Sequence, residues 1–275
     1  MRVIALVFAF CAVYGCHRGS ALAQPADFQL PERFHSGHSH NDYNQQQPLW
    51  LALENGFASF EADVYLRRDS QLMVAHLPWQ TKPGRSLRKL YLEPLDSLRK
   101  VLAQRPIDGR GLPELQLLVD MKSNGGRTLP VLNAILAEYP QLVARWDSTG
   151  QRSGGALRVV LSGNVPPGVY RSTTARYWQV DGRQPQLVHC KPPHLVPLVS
   201  MNWRDVFRWD GQGTPPEETV ARLLELHQQA QDCGCKLRFW NAPDTPAVWV
   251  LLQELGGTYV HTDRPVACGR VLLAE

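Results

Sequence analysis

The chain has 275 residues, 44% hydrophobic and 20% charged, with a formal net charge of +4. That composition belongs to a folded globular protein and excludes a disordered chain. The charge is too small to argue for nucleic acid or a membrane surface by itself.

The first residues read as a targeting segment. Met1 and Arg2 make a short basic start, Val3 to Tyr14 is apolar, and "ALAQ" at 21–24 offers a small-x-small cleavage site. This is the pattern of a secretory signal peptide over residues 1–23, and its apolar run is too short to span a bilayer. Lipidation at Cys16, after "VYG", is the alternative, giving a membrane-anchored lipoprotein. Either way the expectation is an exported protein, periplasmic or secreted. It would comprise an N-terminal extension over 24–32 and a single domain over 33–275. Beyond residue 23 the cysteines are Cys190, Cys233, Cys235 and Cys268. In an oxidising compartment one or two disulfides are expected, with the pairing left open. "CGC" at 233–235 reads as a disulfide half or a free thiol rather than a metal pair.

From about residue 33, apolar runs of strand length alternate with amphipathic helical stretches. "RFHSGHSH" reads as a short strand or turn, and "PLWLALENG" as a helix ended by Gly56. "ASFEADVYL" alternates, and "QLMVAH" continues it as a hairpin strand after the polar turn "RRDSQ". A helix over Glu93 to Gln104 precedes "LQLLVDMK", a nearly continuous apolar run typical of a buried parallel strand. Then come "TLPVLNAILAEYPQLVA" (helix) and the strands "LRVVLSGN", "YWQVDG" and "LVPLVSMNW". "PPEETVARLLELHQQAQDCG" is a helix with prolines and acids at its start and glycine past its end. "KLRFW" (strand), "TPAVWVLLQELGG" (helix), "TYVHTD" (strand) and a short tail helix close the series. About eight strands, mostly separated by helices, fit a single α/β domain of (β/α)₈ TIM-barrel type, with a doubly wound sheet as rival.

In such a barrel the site lies at the C-terminal strand ends, and here every strand runs apolar and then ends polar. Glu61 and Asp63 are two apart on a strand and share a face. Paired carboxylates resist burial unless a cation joins them, and an all-oxygen set suits Mg²⁺ or Ca²⁺. Their other reading is pairing with Arg67 and Arg68. Asp120 and Lys122 share a face in the same way, either as a private ion pair or as a third carboxylate beside a phosphate-binding lysine. His38 and His40 also share a face, and His76 ends the hairpin strand, so two imidazoles near a cation suggest an acid–base pair. His35, His189, His194, His227 and His261 read as structural. Trp79, Trp203, Trp209 and Trp240 lie near strand ends, either stacking on a substrate ring or packing in the core and rim.

These residues carry a family resemblance. The run "SHNDYNQQQPLWLALENGFASFEADVYLRRDSQLMVAH", followed by "LYLEPL", "LLVDMKSNGG", "SGN", "DGR", "RFWNAPDTPAVW" and "HTDRP", resembles the superfamily of TIM-barrel phosphodiesterases that are glycerophosphodiester phosphodiesterase-like and phosphatidylinositol phospholipase C-like. Within it the chain is most similar to the branch of altered-inheritance-of-mitochondria protein 6. The resemblance implies a metal-dependent phosphoric diester hydrolase acting on a small-molecule or lipid diester, not on nucleic acid, with peripheral membrane contact. His40 and His76 match the catalytic histidines, and Glu61, Asp63 and Asp120 the ligands of one divalent cation, Mg²⁺ or Ca²⁺. Asn41 and Lys122 match phosphate-pocket positions, and Trp240 is a candidate substrate contact. The chain departs from the family pattern at Asn41, where an arginine is usual, and at Leu77, where an aspartate usually follows the second histidine.

Two other classes fit part of the pattern. Amidohydrolase barrels carry HxH on the first strand and Asp on the eighth, as "HSH" and "HTD" do here. They also need histidines ending strands five and six, which "VDGR" and "SMNW" lack. Asp263 has a further reading as N-cap of the tail helix. The other class is an exported ligand-binding protein on the same barrel, without catalysis.

Overall fold

A computed structural model describes residues 28–104 and 111–274. The signal peptide over 1–23, Cys16 and the start of the extension lie outside the described residues.

The strands are β1 (His35–Ser39), β2 (Phe57–Leu66), β3 (Leu72–Val74), β4 (Leu115–Met121), β5 (Ala144–Trp146), β6 (Arg152–Gly154), β7 (Leu157–Gly163), β8 (Gln179–Gly182), β9 (Leu198–Asn202), β10 (Lys236–Trp240) and β11 (Thr258–Thr262). The helices are α1 (Trp50–Glu54), α2 (Glu93–Gln104), α3 (Gly125–Ala137), α4 (Pro185–Val188), α5 (Trp203–Val206), α6 (Glu217–Asp232), α7 (Pro246–Leu255) and α8 (Pro265–Leu273). Parallel pairing runs β1–β2–β4–β7–β8–β9–β10–β11 and returns from β11 to β1. The ring is closed, so the doubly wound alternative is excluded. The strands β3, β5 and β6 lie outside it, β3 as the antiparallel partner of the overhanging end of β2 and β5–β6 as a separate hairpin.

Alternation along each strand sorts the side chains. Phe60, Ala62, Val64, Leu117, Val119, Met121, Val159 and Leu161 join the buried apolar layer that includes helix residues such as Leu132, Leu223 and Trp249. Their neighbours turn into the barrel, where Leu118, Val160, Leu198 and Tyr259 form a separate small apolar cluster. Much of the remaining interior is polar, including Ser59, Gln116, Gln179, Ser200 and Arg238, all buried.

Two local expectations are corrected. The helix read through Ala144 ends at Ala137, and Pro140 withholds an amide from any continuation; Ala144 then opens β5. Trp203 and Trp209 are buried with Phe207, with Trp203 also against Phe239, so they pack the core instead of offering a stacking face. One disulfide joins Cys190 to Cys233, while Cys235 and Cys268 are free thiols. Among the described residues no helix is long and apolar enough to cross a membrane.

Candidate active site

The strand register puts the acids together. In the β2–β4 pairing Asp63 lies level with Asp120, and Glu61 is two residues below Asp63 on the same face. Ligand atoms of Glu61, Asp63 and Asp120 all lie within 4.8 Å of one another, the one group of three or more such side chains among the described residues. Gly163 leaves room for this: a Cβ there would stand 2.1 Å from Asp120 Oδ1, and its φ of +72° suits glycine. The glycine of "SGN" is thereby explained.

Each acid has a different environment. Burial pushes Glu61 up, but the Arg238 guanidinium, the His38 hydrogen bond and the charge of His40 together hold it well below the ordinary carboxylate range. Asp63 is pushed up to about 6 by burial, with Lys122 opposing and Glu61 and Asp120 adding to the rise. Burial also raises Asp120, against the pull of Lys122. The Lys122 ammonium sits 3.2 Å from both Asp63 Oδ2 and Asp120 Oδ2. Lys122 is therefore not a private partner of Asp120, since Asp63 shares its ammonium. Arg67 and Arg68 are not the partners of Glu61 and Asp63, which pair with Arg238 and Lys122.

The residues fit an oxygen-bound cation. Asp63 Oδ1 is buried without a hydrogen-bond partner among the described residues, and such an orphan is costly unless something binds it. Around the mouth Glu61, Asp63, Asp120 and Asp181 face three permanently charged cations, Lys122, Arg183 and Arg238. Asp181 Oδ1 is likewise without a partner among the described residues, but Asp63 Oδ1 alone of the two belongs to the three-carboxylate group.

His38 is fixed as a neutral ring. Burial lowers its pKa to about 4. Its Nε2 donates to Glu61 Oε2 at 3.1 Å, and its Nδ1 lies 2.8 Å from the Ser59 hydroxyl, which accepts from Gln116 Nε2 at 3.0 Å. Tyr259 in turn donates to Gln116 Oε1 at 3.3 Å. A one-way hydrogen-bonded chain thus runs up the barrel interior and ends on Glu61.

His40 stands just past β1, its amide bonded to Thr262 O at 2.9 Å. Its Nδ1 is 2.7 Å from Asp263 Oδ1, and its ring lies 4.2 Å from that of His261. Burial pulls its pKa down, but the Asp263 hydrogen bond and the charges of Glu61 and Asp263 raise it overall. Asp263 is therefore not the N-cap of α8; that position is Arg264, with no side-chain cap. His261, expected to be structural, lies against His40, and burial holds its pKa well below the ordinary value.

His76 is carried in by the β2–β3 hairpin. The Ala75 amide bonds to Asp63 O at 3.2 Å, and His76 Nδ1 sits 3.3 Å from Asp63 Oδ2 with the ring half exposed. The Tyr43 hydroxyl lies 2.7 Å from Asn41 Oδ1, 2.8 Å from Asp63 Oδ2 and 3.5 Å from His76 Nδ1. Asn41 is left-handed at φ 44°, a conformation asparagine tolerates. Asp42 is buried below this turn and accepts from Ser39, Leu49 and Tyr91 at 2.7–2.9 Å. It anchors the loop that carries His40 and Asn41. Trp240 is partly exposed and, two residues past Arg238, belongs to the inward face of β10 at the rim.

Sequence reasoning missed Arg238, Tyr43 and the Asp263–His40 pair. Arg238 Nη1 is 3.0 Å from Glu61 Oε2, its Nε is 2.9 Å from Ser200 Oγ, and its Nη2 is 3.6 Å from Asp181 Oδ2. The signal was present: a charged residue between Leu237 and Phe239 in a buried strand must face the barrel interior. Arg183 holds Asp181 at 2.8 Å and Ser162 at 3.2 Å, which accounts for the arginine of "DGR".

The AIM6-like phosphodiesterase domain profile matches residues 33–181. "Altered inheritance of mitochondria protein 6" of Eremothecium gossypii is 27% identical over 82% of the chain and 66% of that protein. The protein of the same name in Lachancea thermotolerans is 29% identical over 82% of the chain and 63% of its own length. The chain thus spans slightly under two thirds of these two relatives. The "Altered inheritance of mitochondria protein 6 homolog" of Arthroderma benhamiae is 25% identical, over 82% and 80%. Among solved structures, a glycerophosphodiester phosphodiesterase from Thermotoga maritima aligns with a TM-score of 0.46 and 11% identity, over 88% of this chain and 100% of that one. One from Parabacteroides distasonis aligns at 0.48 and 12%, over 89% and 99%. The barrel itself is established by the strand pairing.

Proposed function

Because the chain belongs to the AIM6-like phosphodiesterase domain family, we propose that it is a divalent-cation-assisted phosphoric diester hydrolase acting on a small-molecule or lipid diester outside the cytoplasm. The observation that carries the reading is the Glu61–Asp63–Asp120 group with His76 3.3 Å from Asp63, and with His40, held by Asp263, at the end of the neighbouring strand β1.

Glu61, Asp63 and Asp120 would hold one Mg²⁺ or Ca²⁺, which when bound neutralises and polarises the diester phosphate. Asp263 accepts the Nδ1 proton of His40, fixes that tautomer, and makes Nε2 the more basic. His40 is thereby suited to take the proton of the attacking hydroxyl, whether water or a neighbouring hydroxyl of the substrate. His76 is suited to protonate the leaving alkoxide. Lys122 stays charged, because Asp120 and Asp63 raise its pKa over the opposing effect of burial. It and Asn41 face the phosphate, and Trp240 lines the alcohol side. The leader, cleaved or lipidated at Cys16, would deliver the protein to its substrate, a small-molecule or lipid diester rather than nucleic acid.

The test is hydrolysis of bis(p-nitrophenyl) phosphate and a panel of glycerophosphodiesters and inositol phospholipids, with EDTA, Mg²⁺ or Ca²⁺. Calorimetric cation binding by the wild type and Glu61→Ala/Asp63→Ala accompanies it. Activity removed by EDTA, restored by a cation and absent in the variant is expected. His40→Ala and His76→Ala should each lower kcat by about 10²–10⁴-fold with an unchanged thermal midpoint. Absence of cation binding to the wild type would refute the site. Cation binding without turnover of any diester would leave a binding role in its place.

A further inference from the structure

A cavity of about 480 Å³ opens beside His40 and shares His40, His261 and Asp263 with the site above. Its far wall is the segment after β9, which contributes Arg204, Arg208 and Asp210. That segment is braced from beneath. Asn202 Oδ1 accepts from the Arg204 amide at 3.3 Å, Trp203 Nε1 donates to Trp209 O at 2.9 Å, and Trp209 Nε1 donates to Gln212 O at 2.8 Å. The rings of Trp203 and Phe207 pack at 4.4 Å. Two exposed guanidinium groups therefore rise from a fixed aromatic floor, four residues apart.

Their charges are not used by the fold. Among the described residues neither Arg204 nor Arg208 has an ion-pair partner, although three carboxylates line the same cavity. Asp263 is committed to His40 at 2.7 Å and Asp244 to Arg264 at 3.3 Å. Asp210 accepts from the Gln212 amide at 3.0 Å and is the one carboxylate of the three without a cationic partner. Within the cavity lining, two guanidinium groups thus stand against one carboxylate without a cationic partner, while Asp205 of the same segment lies outside that lining. Both guanidinium groups line the same cavity, and a phosphate there would be held by charge-assisted bonds from two arginine forks. The volume suits a substituted polyol.

We propose that this cavity takes the alcohol portion of the diester and that Arg204 and Arg208 bind a second phosphate, a monoester, carried on it. The inference rests on the diester hydrolase reading. It makes phosphorylated polyol diesters the preferred substrates over their unphosphorylated counterparts.

The experiment compares kcat/KM for glycerophosphoinositol and glycerophosphoinositol 4-phosphate, using wild type and Arg204→Gln/Arg208→Gln at low and high salt. A vesicle arm compares phosphatidylinositol and phosphatidylinositol 4-phosphate in phosphatidylcholine, with and without phosphatidylserine. The expected result is a preference of about tenfold or more for the phosphorylated member. It should be carried by KM, weaken with salt, and fall toward one in the variant, whose thermal midpoint confirms its fold. A wild-type ratio near one, or the same ratio in the variant, overturns the inference. A preference confined to vesicles and reproduced by phosphatidylserine also overturns it, since the arginines then read surface charge. Cleavage of bis(p-nitrophenyl) phosphate without preference removes this inference alone. No cleavage of any diester removes the proposed function and this inference with it.

Discussion

Replacing Arg238 with alanine should destabilise the barrel far more than breaking any exposed ion pair. The Arg238 side chain is 5% exposed, with one donor on Glu61, one on Ser200 and a third nitrogen near Asp181. An exposed pair such as Lys89–Glu93 contributes about 0–1 kcal/mol. Glu61 is different, because its carboxylate is buried and without Arg238 only neutral His38 remains bonded to Oε2. Asp181 keeps Arg183. Leaving Glu61 as an uncompensated buried charge should cost about 3–5 kcal/mol, a large share of the ~5–15 kcal/mol that holds a typical domain together. Urea unfolding at pH 7 in EDTA would measure it, in a cycle with Glu61→Gln and the double variant. Since Glu61→Gln removes the charge that needs Arg238, the double variant should be more stable than additivity predicts by about 1 kcal/mol or more. Mg²⁺ or Ca²⁺ should also stabilise Arg238→Ala more than wild type, because a bound cation supplies the lost counter-charge. A loss below about 1 kcal/mol, or strict additivity, would refute the claim that Arg238 is the counter-ion of Glu61.

Three further outcomes are expected. Asp263 helps raise the pKa of His40 above its ordinary 6.5, so the acid limb of kcat/KM should lie above pH 6.5 and move to lower pH in Asp263→Asn; an unmoved limb contradicts the pairing. His35 donates from Nε2 to Asn55 O at 2.7 Å and accepts from the Gly37 amide at Nδ1, so it is held neutral, with burial lowering its pKa below 6.5. Its contribution to stability is complete above pH 6.5 and is lost as pH falls toward the lowered folded value. The slope of unfolding free energy below pH 6.5 should therefore be shallower in His35→Gln, and an equal slope would discount His35. The Cys190–Cys233 bridge closes 43 residues, for which chain entropy gives about 4 kcal/mol; Cys190→Ala/Cys233→Ala should lose stability on that scale in urea, and a change under about 1 kcal/mol would show that the bridge constrains little.

How much of this was legible before the structure depends on the range of each interaction. Glu61 with Asp63, and Asp120 with Lys122, were readable because a strand repeats every two residues, so their common faces are local facts. The apolar run "LQLLVDM" gave β4 for the same reason, although alternation divides it between the outer layer and the barrel interior. What stayed hidden is set by ring closure. His40 meets Asp263 across 223 positions of sequence, and Arg238 meets Glu61 across 177. No period within an element encodes either distance. Asp263 before Arg264–Pro265 satisfied a local capping pattern, yet closure of β11 onto β1 brought it to a histidine that competes for the same oxygens. His261 looked structural for a related reason, since its neighbour His40 comes from the far end of the chain. Arg238 shows the general case. Within β10 it is a charged residue between two apolar ones, and this predicts only that it faces inward. It becomes the counter-ion of Glu61 when the closed ring sets β10 across the barrel from β2. The carboxylates could therefore be found from spacing, whereas the charges that hold them ionised required the topology.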